Sequence, residues 1–182
     1  MIIGLVGPMA SGKGVVSQYI QDNYQAGYHR FSHMLRDVVR RLGIEESREN
    51  LQKISICLRE NFGQNLMAHA IKHEVENDDK EIVMIDGIRR EGDVTYLKEL
   101  PNFILVYIDS DIKTRYDRTI TRAENATDKD KTFEQFENDH LADTETTIPP
   151  LKEISHEVID NDGSLEELYE KFDNIIKKHN EN

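Results

Sequence analysis

The chain has 182 residues, 23 of them basic and 35 acidic, which gives a net charge of −12 at pH 7. This length suits one domain with a hydrophobic core, and we expect a single domain over residues 1–182. The acidic balance argues against general affinity for nucleic acid or anionic membranes, so a bound anion needs a local basic pocket. Cys57 is the single cysteine, which excludes an internal disulfide. Without a signal-peptide pattern or a run of about 18 apolar residues, we expect a cytoplasmic protein.

The sequence opens with a predicted buried strand and a loop framed by glycines. The run Ile2–Val6 is uncharged and rich in branched aliphatic residues, and residues 15–20 have helical spacing. Strand, glycine-rich loop and helix in this order predict a phosphate-binding loop, in which backbone N–H groups and Lys13 hold phosphate oxygens. The expected nucleotide-binding residues are Gly7, Ala10, Ser11, Gly12, Lys13, Gly14 and Val15. Gly14 stands where a metal-binding Ser or Thr is usual, so a Mg²⁺ here needs waters, phosphates and a carboxylate from elsewhere.

The next segment predicts a short strand over residues 26–31 and two helices. Ser32 is the expected N-cap of the first helix, and Gly43 suits its end. A further helix is expected to begin near Ser47. Its predicted apolar stripe contains Leu51, Ile54, Leu58 and Phe62.

Three more apolar runs each end in a carboxylate. Residues 82–86 end in Asp86, which precedes Gly87, and residues 103–109 and 157–160 repeat the pattern. Together with the two strands predicted above, these runs make five strands that alternate with helices. This order predicts a doubly wound parallel sheet, with ligands above the carboxyl ends of the strands. Asp86 at that edge is therefore the expected magnesium-side carboxylate.

The C-terminal third has two capping boxes, which begin at Thr132 and Ser164. The helix from Thr132 is expected to end at Pro149 and Pro150. In the last helix, the residues expected to face the core are Leu165, Leu168, Phe172, Ile175 and Ile176.

Arginines are grouped near the predicted strand ends. One group, Arg36, Arg59, Arg89 and Arg90, would surround an anionic group near Lys13, whereas Arg115, Arg118 and Arg122 fall at i, i+3 and i+7 on one helix. The alternative is that these are surface arginines paired with the many carboxylates of the chain. The polar segment 123–131 is a candidate lid over a nucleotide, or else an ordinary solvated loop.

Several of these motifs resemble the P-loop nucleoside monophosphate kinases, adenylate kinase among them. Gly12-Lys13-Gly14 is similar to the adenylate-kinase form of the loop, and Met34-Leu35-Arg36 to the acceptor-site helix of that family. The stretch 86–90 resembles its Asp-Gly-x-Pro-Arg motif, with Arg89 in place of proline. The stretch 160–165 is similar to the adenine-side loop of these kinases and of dephospho-coenzyme A kinases, and it also resembles a group of uncharacterised small adenylate-kinase-related proteins.

The resemblance implies a P-loop kinase fold with acceptor-binding helices at about residues 32–77 and a lid at about 115–146. It implies ATP and Mg²⁺ as cofactors and a small phosphorylated acceptor, first of all a ribo- or deoxyribonucleoside monophosphate. The implied catalytic residues are Lys13, Asp86, Arg118 and Arg122, with Asp86 holding Mg²⁺ through water. The implied adenine-side residues are Asn161 and Gly163, and the implied acceptor-binding residues are Ser32, Arg36, Arg59, Arg89 and Arg90. Ala10 and Val15 differ from the glycine and threonine that adenylate kinases usually carry.

Other functions stay open at this point. A dephospho-coenzyme A kinase or another small-metabolite kinase would have the same fold. A nucleotide-dependent ATPase or switch would use the loop without an acceptor, which leaves Arg36 and Arg59 without a role. A kinase acting on nucleic-acid ends is disfavoured by the acidity of the chain. The expected partner is a small molecule rather than nucleic acid or a membrane, and the expected state is monomer or homodimer.

Overall fold

The computed structural model describes residues 1–122, 129–141 and 146–180. Five parallel strands form one sheet in the order β2-β3-β1-β4-β5. The strands are β1 (Ile2–Val6), β2 (Gly27–Arg30), β3 (Val83–Asp86), β4 (Phe103–Asp109) and β5 (Glu157–Asp160). The predicted doubly wound parallel sheet is therefore confirmed, with β1 between β3 and β4.

Helices connect the strands and cover both faces of the sheet. In chain order they are α1 (Lys13–Tyr24), α2 (Phe31–Arg41), α3 (Arg48–Phe62), α4 (Leu66–Glu76), α5 (Glu91–Thr95), α6 (Ile112–Arg122), α7 (Phe133–Asp139) and α8 (Leu165–Asn180). Short 3₁₀ helices span Leu97–Glu99 and Pro149–Lys152. None of the helices in the described part of the chain combines the length and apolar composition that crossing a bilayer requires.

The sheet is buried on both faces because successive strand residues pack into two separate cores. Leu5 packs with Val16 of α1 and Phe172 of α8, whereas its neighbour Val6 packs with Leu35 of α2 on the opposite face. Every strand residue from Ile3 to Val6 is buried. This explains why the strand segments are almost continuously apolar in the sequence rather than alternating.

The two predicted capping boxes and the helix start predicted near Ser47 agree with the structure. Ser47 caps α3 by accepting a hydrogen bond from the Asn50 backbone N–H at 3.2 Å. Thr132 and Gln135 form the capping box of α7. At the start of α8, the Glu167 backbone N–H donates to the Ser164 hydroxyl at 3.2 Å, and Glu167 accepts from the Ser164 N–H in return.

Four local predictions are wrong. Helix α2 begins at Phe31, whose side chain is buried in the core, so Arg30 takes the N-cap position and Ser32 lies in the first turn. Phe62 is 70% exposed, because it is the last residue before Gly63 ends α3. Leu165 is 49% exposed and lines a cavity instead of the core. The helix that starts at Thr132 ends at Asp139, and Pro149 begins a separate 3₁₀ helix.

Candidate functional site

The loop Gly7–Gly14 has a conformation that requires glycine at two positions. The φ angle is 150° at Gly7 and 110° at Gly12, a region that L side chains rarely adopt. A Cβ at Gly7 would collide with the carbonyl oxygen of Ile108. Because α1 starts at Lys13, the N–H groups of its first turn lie at the end of the loop. The loop therefore has the backbone geometry and helix dipole that bind phosphate.

Asn161, which follows β5, fixes this loop from one side. Its buried side chain donates from Nδ2 to the Ser11 carbonyl oxygen at 2.7 Å. Its backbone N–H donates to the Asp109 carbonyl oxygen at 2.8 Å. A Cβ at Gly12 would collide with the same Nδ2 atom, so the close approach of Asn161 explains the glycine. Loop shape is thus determined by buried contacts with the sheet.

Lys13 places its ammonium group on the loop itself. Its Nζ donates to the carbonyl oxygens of Gly7 at 2.7 Å and Pro8 at 2.8 Å. The charge therefore lies over the segment whose backbone would surround a phosphate chain.

A cavity of about 460 Å³ opens beside the loop, between α6 and α8. We call it the loop-side cavity. Its apolar wall is formed by Val15, Leu165 and Leu168, and its polar wall by threonine, aspartate and arginine side chains of α6. This volume lies within the roughly 300–1,000 Å³ typical of small-molecule sites. The exposed Leu165 is therefore a wall of this cavity.

Arg118 ties the loop-side cavity to the ends of two strands. Its guanidinium donates to the Asn161 carbonyl oxygen at 2.8 Å and to the Ser110 hydroxyl at 3.2 Å. Ser110 in turn donates to Asp162 at 2.7 Å. This hydrogen bond lowers the pKa of the Asp162 carboxyl, so Asp162 stays ionised beside Arg118. The Arg118 guanidinium is thus held at the cavity by two neutral oxygen atoms and by the charge of Asp162.

Asp86 lies at the end of β3, beside the end of β1. The register pairs Gly4 with Ile85, which puts Asp86 next to the strand that leads into the loop. Oδ1 of Asp86 accepts from the Gly87 backbone N–H at 2.7 Å, and Oδ2 accepts from the Tyr28 hydroxyl at 3.0 Å. Burial, followed by the charge of Asp86, raises the pKa of the Tyr28 phenol. Tyr28 therefore stays a hydrogen-bond donor to this carboxylate.

A second cavity, of about 170 Å³, lies on the other side of the loop, above β2 and β3. We call it the arginine-side cavity. Four guanidinium groups line it, with the hydroxyls of Ser32 and Ser55 and one carboxylate, Asp93; the arginines are Arg30, Arg59, Arg89 and Arg90. Four cations around one carboxylate give this cavity an excess of positive charge, which favours an anion as its ligand.

Arg59 and Asp93 form a buried ion pair within the arginine-side cavity. The guanidinium lies 3.2 Å from Oδ1 of Asp93, and it also donates to the Gln64 carbonyl oxygen at 2.5 Å. Oδ2 of Asp93 accepts from the Arg89 backbone N–H at 3.2 Å. Within the described residues, two buried polar atoms at this cavity, Nε of Arg59 and Oγ of Ser32, have no hydrogen-bond partner. Both atoms therefore lack the hydrogen bond that a buried polar group usually makes.

The structure gathers most of the predicted site residues into these two cavities. The loop-side cavity contains Ala10, Gly12, Val15, Arg118, Arg122 and Asn161, and the arginine-side cavity contains Ser32, Arg59, Arg89 and Arg90. Arg36 lines neither cavity, because its guanidinium pairs with Glu46 at 3.1 Å. Gly14 has open space around it, and Gly163 lies against the carboxylate of Glu167. Of the predicted lid segment, residues 123–128 lie outside the described residues.

Three residues at the site have contacts that the sequence interpretation misses. Tyr28 and Arg30 both contact Asp86, and the signal that would reveal them is the pairing of β2 with β3. The sequence places Arg115 on one helix face with Arg118 and Arg122 and gives it no role. Its side chain is buried and donates to the Ser110 carbonyl oxygen at 2.9 Å and to the Met9 carbonyl oxygen at 3.3 Å. It also contacts the ring of His140. Arg115 therefore holds the loop through the Met9 carbonyl oxygen.

Solved structures with similar folds match nearly the whole chain. A shikimate kinase from Acinetobacter baumannii in complex with shikimate has a TM-score of 0.57 and 20% identity, covering 97% of this chain and 93% of its own. An uncharacterized protein from Eubacterium ventriosum has a TM-score of 0.64 and 14% identity, covering 100% and 99%. At these identities the likeness establishes the fold, which is the P-loop kinase fold.

Sequence relatives cover the chain equally well. The UPF0200 protein of Thermococcus kodakarensis is 30% identical over 191 residues, which is 98% of this chain and 100% of the relative. The UPF0200 protein of Hyperthermus butylicus is 26% identical over 178 residues, which is 98% of this chain and 94% of the relative. The family model described as an AAA domain matches residues 6–137, a range that includes the whole phosphate-binding loop. The chain therefore belongs to the AAA domain family and to the UPF0200 proteins.

Proposed function

We propose that the protein is an ATP- and Mg²⁺-dependent phosphotransferase that moves the γ-phosphate to a small anionic acceptor. The observation that carries the proposal is the pair of cavities at the carboxyl edge of one sheet, with Lys13 and Asp86 at the strand ends between them. Phosphoryl transfer needs mainly positioned positive charge around the migrating group. The family and the fold both support an enzyme of the kinase type.

The donor nucleotide is assigned to the loop-side cavity. Lys13 and the amides of Gly7–Gly14 would hold its phosphates, and Arg118 and Arg122 would stabilise the transferring group. The nucleoside would lie against Leu165 and the turn after β5, near Asn161 and Gly163. The helices α6 and α7 belong to the proposed lid, about residues 115–146.

The donor set at Asp86 fits Mg²⁺ held through water. Mg²⁺ usually keeps several waters and takes only one or two carboxylates in addition to substrate phosphates. Both oxygens of Asp86 already accept hydrogen bonds from Gly87 and Tyr28, so bridging waters suit this carboxylate better than direct coordination. Across the described ranges, no three His, Cys, Asp or Glu side chains cluster as an all-protein metal site. Mg²⁺ would supply charge neutralisation between the β- and γ-phosphates.

The acceptor is assigned to the arginine-side cavity, with Ser32, Arg59, Arg89 and Arg90 as its ligands. The first candidate is a ribo- or deoxyribonucleoside monophosphate, because the motifs at 34–36 and 86–90 resemble the kinases of those nucleotides. Arg36 would join the acceptor only after leaving Glu46.

The size of the arginine-side cavity favours a second candidate, a compact anionic metabolite. Its volume of about 170 Å³ lies below the roughly 300–1,000 Å³ of typical ligand sites. One structural neighbour, the shikimate kinase, is in complex with shikimate, which is a small carboxylic acid. Dephospho-coenzyme A could reach the same cavity only with its ribose end.

The test is an acceptor panel. The protein would be incubated with ATP, Mg²⁺ and, one at a time, nucleoside monophosphates, dephospho-coenzyme A and small phosphorylated or carboxylic acceptors, with the product mass recorded. A product heavier than its acceptor by one phosphoryl group supports the proposal and names the acceptor. ADP formed at the same rate with and without every acceptor would instead identify an ATPase or switch.

A further inference from the structure

Arg30 connects the arginine-side cavity with the magnesium-side carboxylate. It is the last residue of β2 and is paired in register with Asp86 of β3. Its Nε lies 3.3 Å from Oδ2 of Asp86, and its guanidinium also lines the arginine-side cavity. One side chain therefore contacts both halves of the proposed reaction site.

Among the three groups described above that bond to Asp86, Arg30 is the one able to leave. Gly87 donates from the backbone, and Tyr28 donates from a ring that packs against the core and against His33. The Arg30 side chain is 45% exposed and rotates about several single bonds. To release the ion pair at Oδ2 of Asp86, only the Arg30 side chain has to move.

An anion in the arginine-side cavity would compete with Asp86 for Arg30. Asp93, the carboxylate of that cavity, already pairs with Arg59 and accepts from the Arg89 N–H. It is thus committed to other partners and does not neutralise Arg30. A guanidinium presents five N–H donors in a planar fork, which matches a phosphate or carboxylate better than the single contact from Nε to Asp86.

We propose that Arg30 is a positioning residue that couples acceptor binding to the magnesium side of the site. With the arginine-side cavity empty of anion, Arg30 pairs with Oδ2 of Asp86 and opposes Mg²⁺ there. With an anionic acceptor bound, Arg30 turns to the acceptor, and Oδ2 becomes available to a magnesium-bound water. Since coupling between sites is reciprocal, Mg²⁺ with nucleotide must also strengthen anion binding. The inference rests on the proposed function, since it uses the same two subsites.

The experiment measures binding rather than turnover. A fluorescent, non-hydrolysable ATP analogue is titrated with Mg²⁺, with and without inorganic phosphate as the anion, at analogue concentrations that saturate the loop. In the wild type, phosphate should lower the Mg²⁺ concentration at half-saturation by about 5-fold or more, the lower end of typical coupling factors. In Arg30→Met, the Mg²⁺ concentration at half-saturation should already be low without phosphate, and adding phosphate should not change it.

Three further variants separate coupling from simple damage. Tyr28→Phe removes the other side-chain donor to Oδ2 but leaves Arg30 in place, so its phosphate response should persist. Arg30→Lys keeps the charge but not the planar fork, and it should restore the high Mg²⁺ requirement with a weaker phosphate response. Arg41→Met removes an exposed arginine of α2, away from both cavities, and should behave as wild type. Thermal melting confirms that each variant is folded.

The possible failures are distinguishable. A phosphate response that survives in Arg30→Met, or an unchanged Mg²⁺ requirement in that variant, overturns the coupling. A wild type that binds the analogue with Mg²⁺ but ignores phosphate also overturns it, while the proposed function stands. A wild type that does not bind the analogue at any Mg²⁺ concentration removes the proposed function itself.

Discussion

The loop-side and arginine-side cavities border the same edge of the sheet but are built by different means. The loop side is shaped by backbone atoms and by Asn161, a neutral side chain buried against the Ser11 carbonyl. The arginine side is shaped by charged side chains that bond to one another, as Arg59 does to Asp93. The backbone of the loop side is therefore already fixed by buried contacts, whereas a ligand of the arginine side would have to exchange internal partners.

This difference has an energetic consequence. A preformed backbone site loses little on binding, because its donors need no new ordering. A site whose cations are already paired has to break those contacts, so its affinity is a difference between two sets of ion pairs. Variants on the loop side should change activity directly, and variants on the arginine side should also change stability.

The largest expected effect is that of Lys13→Ala on the loop side. It removes the charge that the proposed function assigns to the phosphates, and loss of one such electrostatic group typically costs about 10²- to 10³-fold in rate. The fold should stay intact, because the hydrogen bonds of the Lys13 ammonium to Gly7 and Pro8 lie within the loop and outside the two cores. The measurement is the initial rate of ATP consumption with the acceptor found in the panel, together with circular dichroism.

Lys72→Ala is the matched control. Lys72 lies on α4 and bonds to Glu99 at 2.7 Å, away from both cavities. Its rate should equal that of the wild type. A Lys13→Ala enzyme with normal turnover would remove the loop from the reaction and, with it, the contrast between the two sides.

The second effect concerns the arginine side. Asp93→Asn leaves the Arg59 side chain, which is 11% exposed, without its ionic partner, and breaking such a largely buried pair costs up to about 3 kcal/mol. Urea denaturation should show this loss of unfolding free energy. Glu49→Gln on α3 is the control, since its pair with Lys53 is exposed and should change stability by less than about 0.5 kcal/mol. Equal stabilities of the two variants would show that the arginine side does not depend on internal pairing.

Sequence reasoning succeeds where local chemistry decides the structure. The glycine positions, the apolar strands and the acid at the end of β3 are local patterns, and the parallel sheet follows from them. The capping prediction for Ser32 is wrong because the burial of Phe31 starts α2 earlier than capping preference suggests. The contact of Arg30 with Asp86 depends on which strands are neighbours, and no local pattern contains that information. The roles of the site residues remain predictions.

The third effect returns to the loop side. Asn161→Ala removes the donor to the Ser11 carbonyl and leaves a small void, and loss of a buried hydrogen-bond partner costs about 1–3 kcal/mol. Because Asn161 fixes the loop, stability and affinity for the ATP analogue should fall together. Asn161→Asp keeps the shape but places a carboxylate beside that carbonyl, so its losses should be at least as large. A variant with normal nucleotide affinity would show that the loop holds its shape without Asn161.

The smallest expected effect concerns the amino edge of the sheet, opposite the two cavities. His156, just before β5, accepts a hydrogen bond at Nδ1 from the Leu105 backbone N–H at 2.9 Å, so its ring must be neutral at that nitrogen. Desolvation of the ring lowers the pKa of His156 below the ordinary value of about 6.5. The unfolded chain therefore takes up this proton first, and the stability contributed by His156 is complete above about pH 6.5 and lost as pH falls below it. Melting temperatures measured from pH 7.5 to 5.5 should fall less in His156→Asn, whose amide oxygen accepts without titrating. Identical slopes in the two proteins would exclude His156 as a source of acid sensitivity.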